Sequence, residues 1–136
     1  MQPPQTITIP GQPVAMGRPR FAAGGRTYLP KKTREALHFA RAFLVSADPI
    51  QGPVALDIIF VMKRPKSMMG KKYRDDRIFH SKRPDLDNLV KLVADALQPQ
   101  VLKDDAQIVM LNASKWYAAK DEDPKTLIQI RSIDQL

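Results

Sequence analysis

Apolar residues recur along this chain with two periods, one typical of β-strands and one typical of α-helices. Alternating apolar and polar positions predict strands at residues 6–9 and 126–133. A β-branched run with a single charge predicts a central strand at residues 54–62, and a further apolar run predicts a strand at residues 107–117. Strands of this number and length suit one small sheet.

Two segments instead carry apolar residues at the spacing of an amphipathic helix. The first covers residues 31–47. The second begins at Leu86, after Pro84, and should end near Gln98, because Pro99 cannot continue a helix. The order of strands and helices predicts an α+β fold, an α/β sandwich in which a small mixed sheet is covered by two helices.

The remaining long stretches lack a clear apolar period. Residues 14–30, rich in Gly and Pro, predict a loop or a loose hairpin. Residues 63–83 are the most basic part of the chain, and they predict a mobile loop that becomes ordered on DNA. Tyr73 and Phe79 lie in this loop, where they either stack on bases or anchor a polar segment. With 136 residues, the chain (1–136) is expected to be one domain.

Composition excludes several classes of protein and site. The absence of cysteine excludes a disulfide framework, a thiolate zinc site and a cysteine nucleophile, and two histidines are too few for a histidine-rich metal site. No apolar run approaches the ~20 residues that span a bilayer, and the first residues do not resemble a signal peptide. These features predict a cytoplasmic protein with no membrane partner.

Charge is distributed unevenly along the chain, whose formal net charge is +8. Residues 1–83 carry 16 Lys and Arg against 5 Asp and Glu, whereas residues 84–136 carry 6 against 9. A basic part attracts polyanions such as DNA, although a solvated basic loop would look the same. The predicted DNA-binding residues are Arg18, Arg20, Arg26, Lys71, Lys72, Arg74, Lys82 and Arg83.

Carboxylates are concentrated in and after the second predicted helix. Asp87, Lys91 and Asp95 follow at i, i+4 and i+8 and share one helix face, Asp85 lies just ahead, and the pair at 104–105 precedes a strand. If helix and strand pack together, these carboxylates can converge, and oxygen ligands of this kind suit Mg²⁺. The alternative is that they are helix caps, surface ion pairs and a polar turn.

The ordered motif in this region resembles a known family. Arg-Pro-Asp-Leu-Asp-Asn-Leu-Val-Lys at 83–91, Asp-Ala-Leu at 95–97, Lys-Asp-Asp-Ala-Gln-Ile at 103–108 and Gly-Arg-Pro-Arg at 17–20 resemble the RusA family of Holliday junction resolvases. Members are small, dimeric, Mg²⁺-dependent endonucleases of bacteria and their phages. The resemblance covers about residues 7–117, and the basic segment before the motif is its least typical part.

The resemblance implies roles for residues of this chain. It places metal-binding carboxylates at Asp85, Asp87 and Asp105, with Asp104 as a less certain ligand, and a catalytic lysine at Lys91. It implies a homodimeric, nucleoid-associated crossover junction endodeoxyribonuclease that uses Mg²⁺, or alternatively Mn²⁺, and makes paired symmetric cuts in four-way DNA junctions during recombination and repair. Two alternatives stay open: a non-catalytic nucleic-acid-binding module, and a nuclease acting on other branched DNA.

Overall fold

The regular elements follow the apolar periods of the chain. The computed structural model describes residues 4–133. The elements in chain order are β1 (Gln5–Pro10), β2 (Arg20–Phe21), β3 (Thr27–Tyr28), α1 (Lys31–Phe43), β4 (Val54–Met62), β5 (Ile78–Phe79), α2 (Leu86–Ala96), β6 (Ile108–Tyr117) and β7 (Lys125–Ser132).

Within residues 4–133, five strands form one mixed sheet in the order β1-β7-β4-β6-β5. β4 and β6 are parallel, and the other neighbours are antiparallel. A parallel pair needs a long crossover, and here the connection between β4 and β6 contains α2. β2 and β3 form a separate small hairpin in the segment that the sequence predicts as a loop or loose hairpin. The predicted α+β fold is confirmed.

Both helices pack on one face of the sheet and form a single core with it. Alternate residues of β4, namely Leu56, Ile58 and Phe60, are almost fully buried in the same cluster as Leu37 of α1 and Leu89 of α2. Strand side chains point alternately to opposite faces, so the intervening residues of β4 face away from the helices. This core fixes the position of α2, and with it the acidic motif, against the sheet.

Several boundaries differ from the sequence prediction by one or a few residues, and two of these differences have a clear local reason. α1 ends at Phe43 rather than near residue 47, because Leu44 leaves helical geometry (φ −97°, ψ 66°) and is fully buried in the core. β6 begins at Ile108 rather than Gln107, because Gln107 belongs to a 3-10 turn ahead of the strand.

The basic segment 63–83 contains more regular structure than its sequence predicts. It includes a 3-10 turn at Lys66–Met68 and the short strand β5, which pairs with the end of β6. Arg64 is 7% exposed, and its guanidinium donates to the backbone carbonyls of Met68, Arg74 and Asp76 at 2.9, 2.6 and 3.1 Å. The buried Arg64 side chain thus holds the segment together, and β5 joins it to the sheet. Its mobility without DNA stays a prediction.

In the described part of the chain, no helix combines the length and apolar character needed to cross a membrane.

Candidate active site and DNA-binding surface

The start of α2 presents two carboxylates to solvent. Asp85 is the N-cap residue of α2 by position, yet its side chain makes no capping hydrogen bond. Asp87 lies in the first turn, and its Oδ1 accepts a hydrogen bond from the backbone N–H of Asn88 at 3.0 Å. Both residues are exposed. Capping therefore does not explain Asp85, and most lone pairs of both carboxylates remain available to a ligand.

Lys91 follows one turn later on the same helix. Among the residues that the structure describes, no ion pair within 4 Å joins Lys91 to Asp87 or Asp95. Lys91 is exposed, while the backbone carbonyl of half-buried Asp95 accepts a hydrogen bond from Arg41 of α1 at 3.1 Å. The alternative of i,i+4 ion pairs is thus not realised, and the Lys91 ammonium is available at the surface.

The two aspartates before β6 have different surroundings. Asp104 Oδ1 accepts a hydrogen bond from the backbone N–H of Ala106 at 2.8 Å, and Gln107 Oε1 accepts one from the backbone N–H of Asp104 at 3.0 Å. Together these bonds form a capping box on the 3-10 turn. Asp105 is exposed, and although its backbone carbonyl accepts a hydrogen bond from the N–H of Ile108, its carboxylate accepts none from residues 4–133. The capping interpretation therefore fits Asp104, and Asp105 is the free carboxylate of the pair.

The expected meeting of three aspartates within one chain does not occur. No group of three or more His, Cys, Asp or Glu in residues 4–133 is close enough to hold a metal ion. The reason is the direction of α2. It starts beside Lys115, whose Nζ donates to the Pro84 carbonyl at 2.6 Å. It ends near the start of β4 and β6, where Ile50 pairs with Leu102.

The distance between the two ends of α2 follows from the geometry of β6, along which α2 runs back. Lys115 lies seven residues beyond Ile108 along β6, which corresponds to about 23 Å of extended strand. Asp105 precedes Ile108, so it lies toward the end of α2, whereas Asp85 and Asp87 lie at its start. Ligands of one Mg²⁺ lie only about 2.0–2.1 Å from the ion. One chain therefore presents Asp85 with Asp87 in one place and Asp105 in another.

Lys115 holds the backbone that leads into α2, a role that its position in the sequence does not predict. Its Nζ donates to the carbonyls of both Lys82 and Pro84 at 2.6 Å, and its own carbonyl accepts a hydrogen bond from the backbone N–H of His80. A lysine in an alternating strand looks like an ordinary surface residue. Here it holds the backbone immediately ahead of Asp85.

The arginine-rich loop, residues 14–30 with Arg18, Arg20 and Arg26, is connected to α2, the acidic helix that carries Asp87 and Asp95. The backbone N–H of Met16 donates to the Asn88 carbonyl at 2.9 Å, and the N–H of Gly17 donates to Thr33 Oγ1 at 3.0 Å. A Cβ on Gly17 would lie 2.6 Å from that same Oγ1, so only glycine allows this approach without a shift. Arg18, the next residue, is thereby placed close to the first turn of α2.

All eight predicted DNA-binding residues are exposed, as phosphate contacts require. Arg74 forms an exposed ion pair with Asp76 at 3.7 Å, which is too weak a contact to hold it away from a phosphate. Their binding to DNA stays a prediction.

Titratable groups near the site are perturbed in two places. Burial, with the positive charge of Lys115 as a second cause, lowers the pKa of His80. Its ring packs against Tyr117. At the far side of the basic segment, hydrogen bonds from Arg77 lower the pKa of Glu122 to about 2. Arg77 is thus engaged in a structural ion pair.

Comparison with known proteins assigns the chain. The family model described as "Endodeoxyribonuclease RusA" matches residues 10–131. The chain belongs to the RusA family. A relative from Bacillus subtilis (strain 168), named "Uncharacterized protein YqaN", is 33% identical over 138 residues, which cover 93% of this chain and 95% of that protein.

Membership of the RusA family gives the site its chemical class. The family is one of endodeoxyribonucleases, hydrolases that cut DNA phosphodiester bonds, and the matched residues include the arginine-rich loop, the basic segment and all the aspartates discussed above. The resemblance predicted from the sequence is confirmed. An exposed acidic helix start beside exposed cations is the arrangement expected of such an enzyme.

Proposed function

We propose that the chain is a Mg²⁺-dependent endodeoxyribonuclease that resolves Holliday junctions by paired symmetric cuts during DNA recombination and repair. The observation that carries the proposal is the RusA family match, which spans the whole acidic motif. The uncapped state of Asp85 supports it, because a carboxylate left exposed and unbonded at a helix start is available to a cation.

The metal-holding residues in this proposal are Asp85, Asp87 and Asp105. All are exposed carboxylates, and hard oxygen donors suit Mg²⁺, or Mn²⁺ in its place. Asp104 is a weaker candidate because its carboxylate caps the 3-10 turn. A bound divalent ion would supply an activated water and a Lewis acid for phosphodiester hydrolysis. Lys91, exposed one turn from Asp87, would offset negative charge on the reacting phosphate.

A homodimer explains how separated aspartates could serve one site. β6 pairs with β4 along one edge, but its other edge is covered only at residues 115–117, by β5 and by the backbone N–H of His80. Val109, Met110 and Leu111, on the open part of that edge, are each more than half exposed. An exposed apolar strand edge pairs readily with another strand. We propose that it pairs with β6 of a second copy.

Two-fold symmetry would then bring the carboxylate of the partner subunit's Asp105 near Asp85 and Asp87. If the β6 strands run antiparallel about Met110, residues whose numbers are equally far from 110 lie opposite each other. Lys115 then faces the turn that carries the partner subunit's Asp105. Because Lys115 holds the backbone ahead of Asp85, each site would combine Asp85 and Asp87 of one chain with Asp105 of the other. Two such sites match the two-fold symmetry of a four-way junction.

A cleavage assay tests this function. A fluorescent four-way junction should be cut by the purified chain with Mg²⁺ and not with EDTA, in two strands of like polarity. Asp87→Asn should lower the cleavage rate at least about 100-fold while junction binding persists, because the ligand is lost and the binding surface is kept. Normal cleavage by this variant would contradict the metal assignment.

The substrate range is tested in the same assay. Linear duplex and a replication fork serve as comparison substrates. Cleavage of forks in preference to junctions would favour a nuclease that acts on other branched DNA. Binding without cleavage of any substrate would favour a non-catalytic nucleic-acid-binding module.

A further inference from the structure

A stacked pair of aromatic rings lies on the edge of the sheet that leads into α2. Phe79 of β5 stacks on Trp116 of β6 with ring centroids 3.9 Å apart and planes 24° from parallel. Trp116 is half-buried, and its Nε1–H donates to Ser114 Oγ at 2.8 Å. Phe79 is 68% exposed. Since Trp116 covers one face of the Phe79 ring, the exposed area belongs to the opposite face and the rim.

The two residues of β5 differ in burial. β5 is only two residues long, and its other residue, Ile78, is half-buried. A phenylalanine needed only to anchor the segment would turn its ring into the sheet, as burial of aromatic surface is favourable. Here the ring is held flat against a fixed indole with its outer face in solvent, which is the geometry of a platform rather than of a core residue.

The platform lies at the same end of β6 as the start of α2, but on the sheet face turned away from the helices, because Trp116 is in register with Val61 and not with the core residue Phe60. Asp85 follows Phe79 by six residues, so the chain between them spans at most about 21 Å. The path is also constrained, because the backbone N–H of His80 donates to the Lys115 carbonyl and Lys115 Nζ donates to the Pro84 carbonyl. A group stacked on Phe79 would therefore lie within a few nucleotides of a phosphate at Asp85.

Charge favours a nucleic acid on the side of the platform toward α2, whereas the cavity that Trp116 lines on its other side holds more carboxylates than cations: Asp76, Asp121, Glu122 and Asp123 against Arg74, Arg77 and Lys125. Lys82 and Arg83, between Phe79 and the acidic helix, are exposed, and neither forms an ion pair with residues 4–133. An exposed aromatic ring flanked by free cations is the combination that binds single-stranded nucleic acid, with the ring stacking on a base and the cations on phosphates.

We propose that Phe79, supported by Trp116, is a stacking platform for an unpaired nucleobase at the branch point of the DNA substrate. The inference rests on the proposed function and deepens it, since it names the part of the substrate that distinguishes a branched from a linear DNA. Base pairs at a branch point open more easily than those within a duplex, and every base has a π-face. The platform therefore recognises structure without reading sequence.

The test uses Phe79→Ala in the cleavage-deficient Asp87→Asn chain, with Phe79→Trp as the conservative variant. Phe39→Ala is the matched control, because Phe39 is 48% exposed and lies on α1. Loss of one stacked base should weaken binding to a four-way junction about tenfold and leave binding to fully paired duplex unchanged. Phe79→Trp should retain junction binding, and a 2-aminopurine at the branch point should lose its quenching only in Phe79→Ala.

Three results would overturn the platform: unchanged junction binding by Phe79→Ala, an equal loss for junction and duplex, or a monomeric Phe79→Ala chain in light scattering. The last would assign Phe79 to the dimer contact. Cleavage by the otherwise native chain is measured in parallel. Failure of the native chain to cut junctions would contradict the proposed function, whereas native cleavage with no effect of Phe79→Ala on junction binding would contradict the platform alone.

Discussion

Asp85 and Asp104 occupy the same kind of position, one residue ahead of a helical turn, and the chain uses them differently. The carboxylate of Asp104 accepts a hydrogen bond in a capping box, whereas the carboxylate of Asp85 makes no capping bond. Because Asp is among the best N-cap residues, leaving it uncapped forgoes about 1 kcal/mol of helix stability. Such a loss agrees with the proposed role of Asp85 as a metal ligand.

Lys115 gives a prediction for a positioning residue. Lys115→Met should lower the rate of junction cleavage about tenfold or more and leave the affinity for the junction unchanged, because the backbone ahead of Asp85 loses the two hydrogen bonds that place it. Steady-state cleavage kinetics and junction binding are measured together, and Lys31→Met, at an 82% exposed side chain on α1, is the control.

Lys115→Arg, which keeps the charge and the donors, should recover part of the lost cleavage rate. If Lys115→Met instead weakened junction binding with no change in the cleavage rate of bound junction, Lys115 would be a DNA contact and not a positioning residue.

Glu122 gives a prediction about acid stability. Its pKa is lowered from 4.5 to about 2 by hydrogen bonds from Arg77, and its side chain is 14% exposed. The lowered pKa stabilises the folded state fully above pH 4.5, and this stabilisation is lost as the pH falls toward 2. Glu122→Gln should therefore cost on the order of 2 kcal/mol at pH 6, less than the full shift because solvent screens the pair.

Urea unfolding at several pH values checks this prediction. The stability difference between wild type and Glu122→Gln should shrink between pH 4.5 and 2. A difference that does not change with pH would mean that the variant acts through packing.

At the scale of elements, the sequence is most informative where burial is uniform. β4 occupies the predicted residues 54–62 because a β-branched run buried on both faces has few alternatives. The end of α1 was predicted too late, since an apolar period continues through residues that the core draws out of the helix. β5 was missed, because two residues cannot show a period and their pairing depends on β6.

The buried side chain of Arg64 should control whether the basic segment 63–83 is ordered. Arg64→Met leaves several carbonyl groups without their donor, so it should lower the free energy of unfolding by about 2–4 kcal/mol. It should also speed tryptic cleavage at Lys71 and Lys72, measured by limited proteolysis under native conditions. Lys66→Met, at an exposed residue of the same segment, is the control.

Equal cleavage rates in wild type and Arg64→Met would show that Arg64 does not order the segment. Fast cleavage in both, slowed by DNA, would be the result expected if the segment is mobile until it binds.

At the scale of the whole molecule, the exposure of the residues of the proposed site is more predictable from the sequence than their arrangement. Spacing placed Asp87 and Lys91 on one helix face, and the structure keeps them there, exposed. Whether Asp105 meets them depends on the direction in which α2 crosses the sheet, which no local pattern records. α2 runs back along β6, so the predicted cluster within one chain is not found, and the open edge of β6 becomes the feature on which the proposed site depends.

The shared site is tested most directly by mixing two inactive variants. Asp87→Asn and Asp105→Asn chains, carrying different affinity tags, are mixed, and dimers carrying both tags are purified and given the four-way junction with Mg²⁺. In a shared site, one of the two sites of each mixed dimer holds native Asp87 and native Asp105. We predict that each variant alone is inactive and that the mixed dimer nicks one strand of the junction. A mixed dimer as inactive as either variant alone would contradict the account.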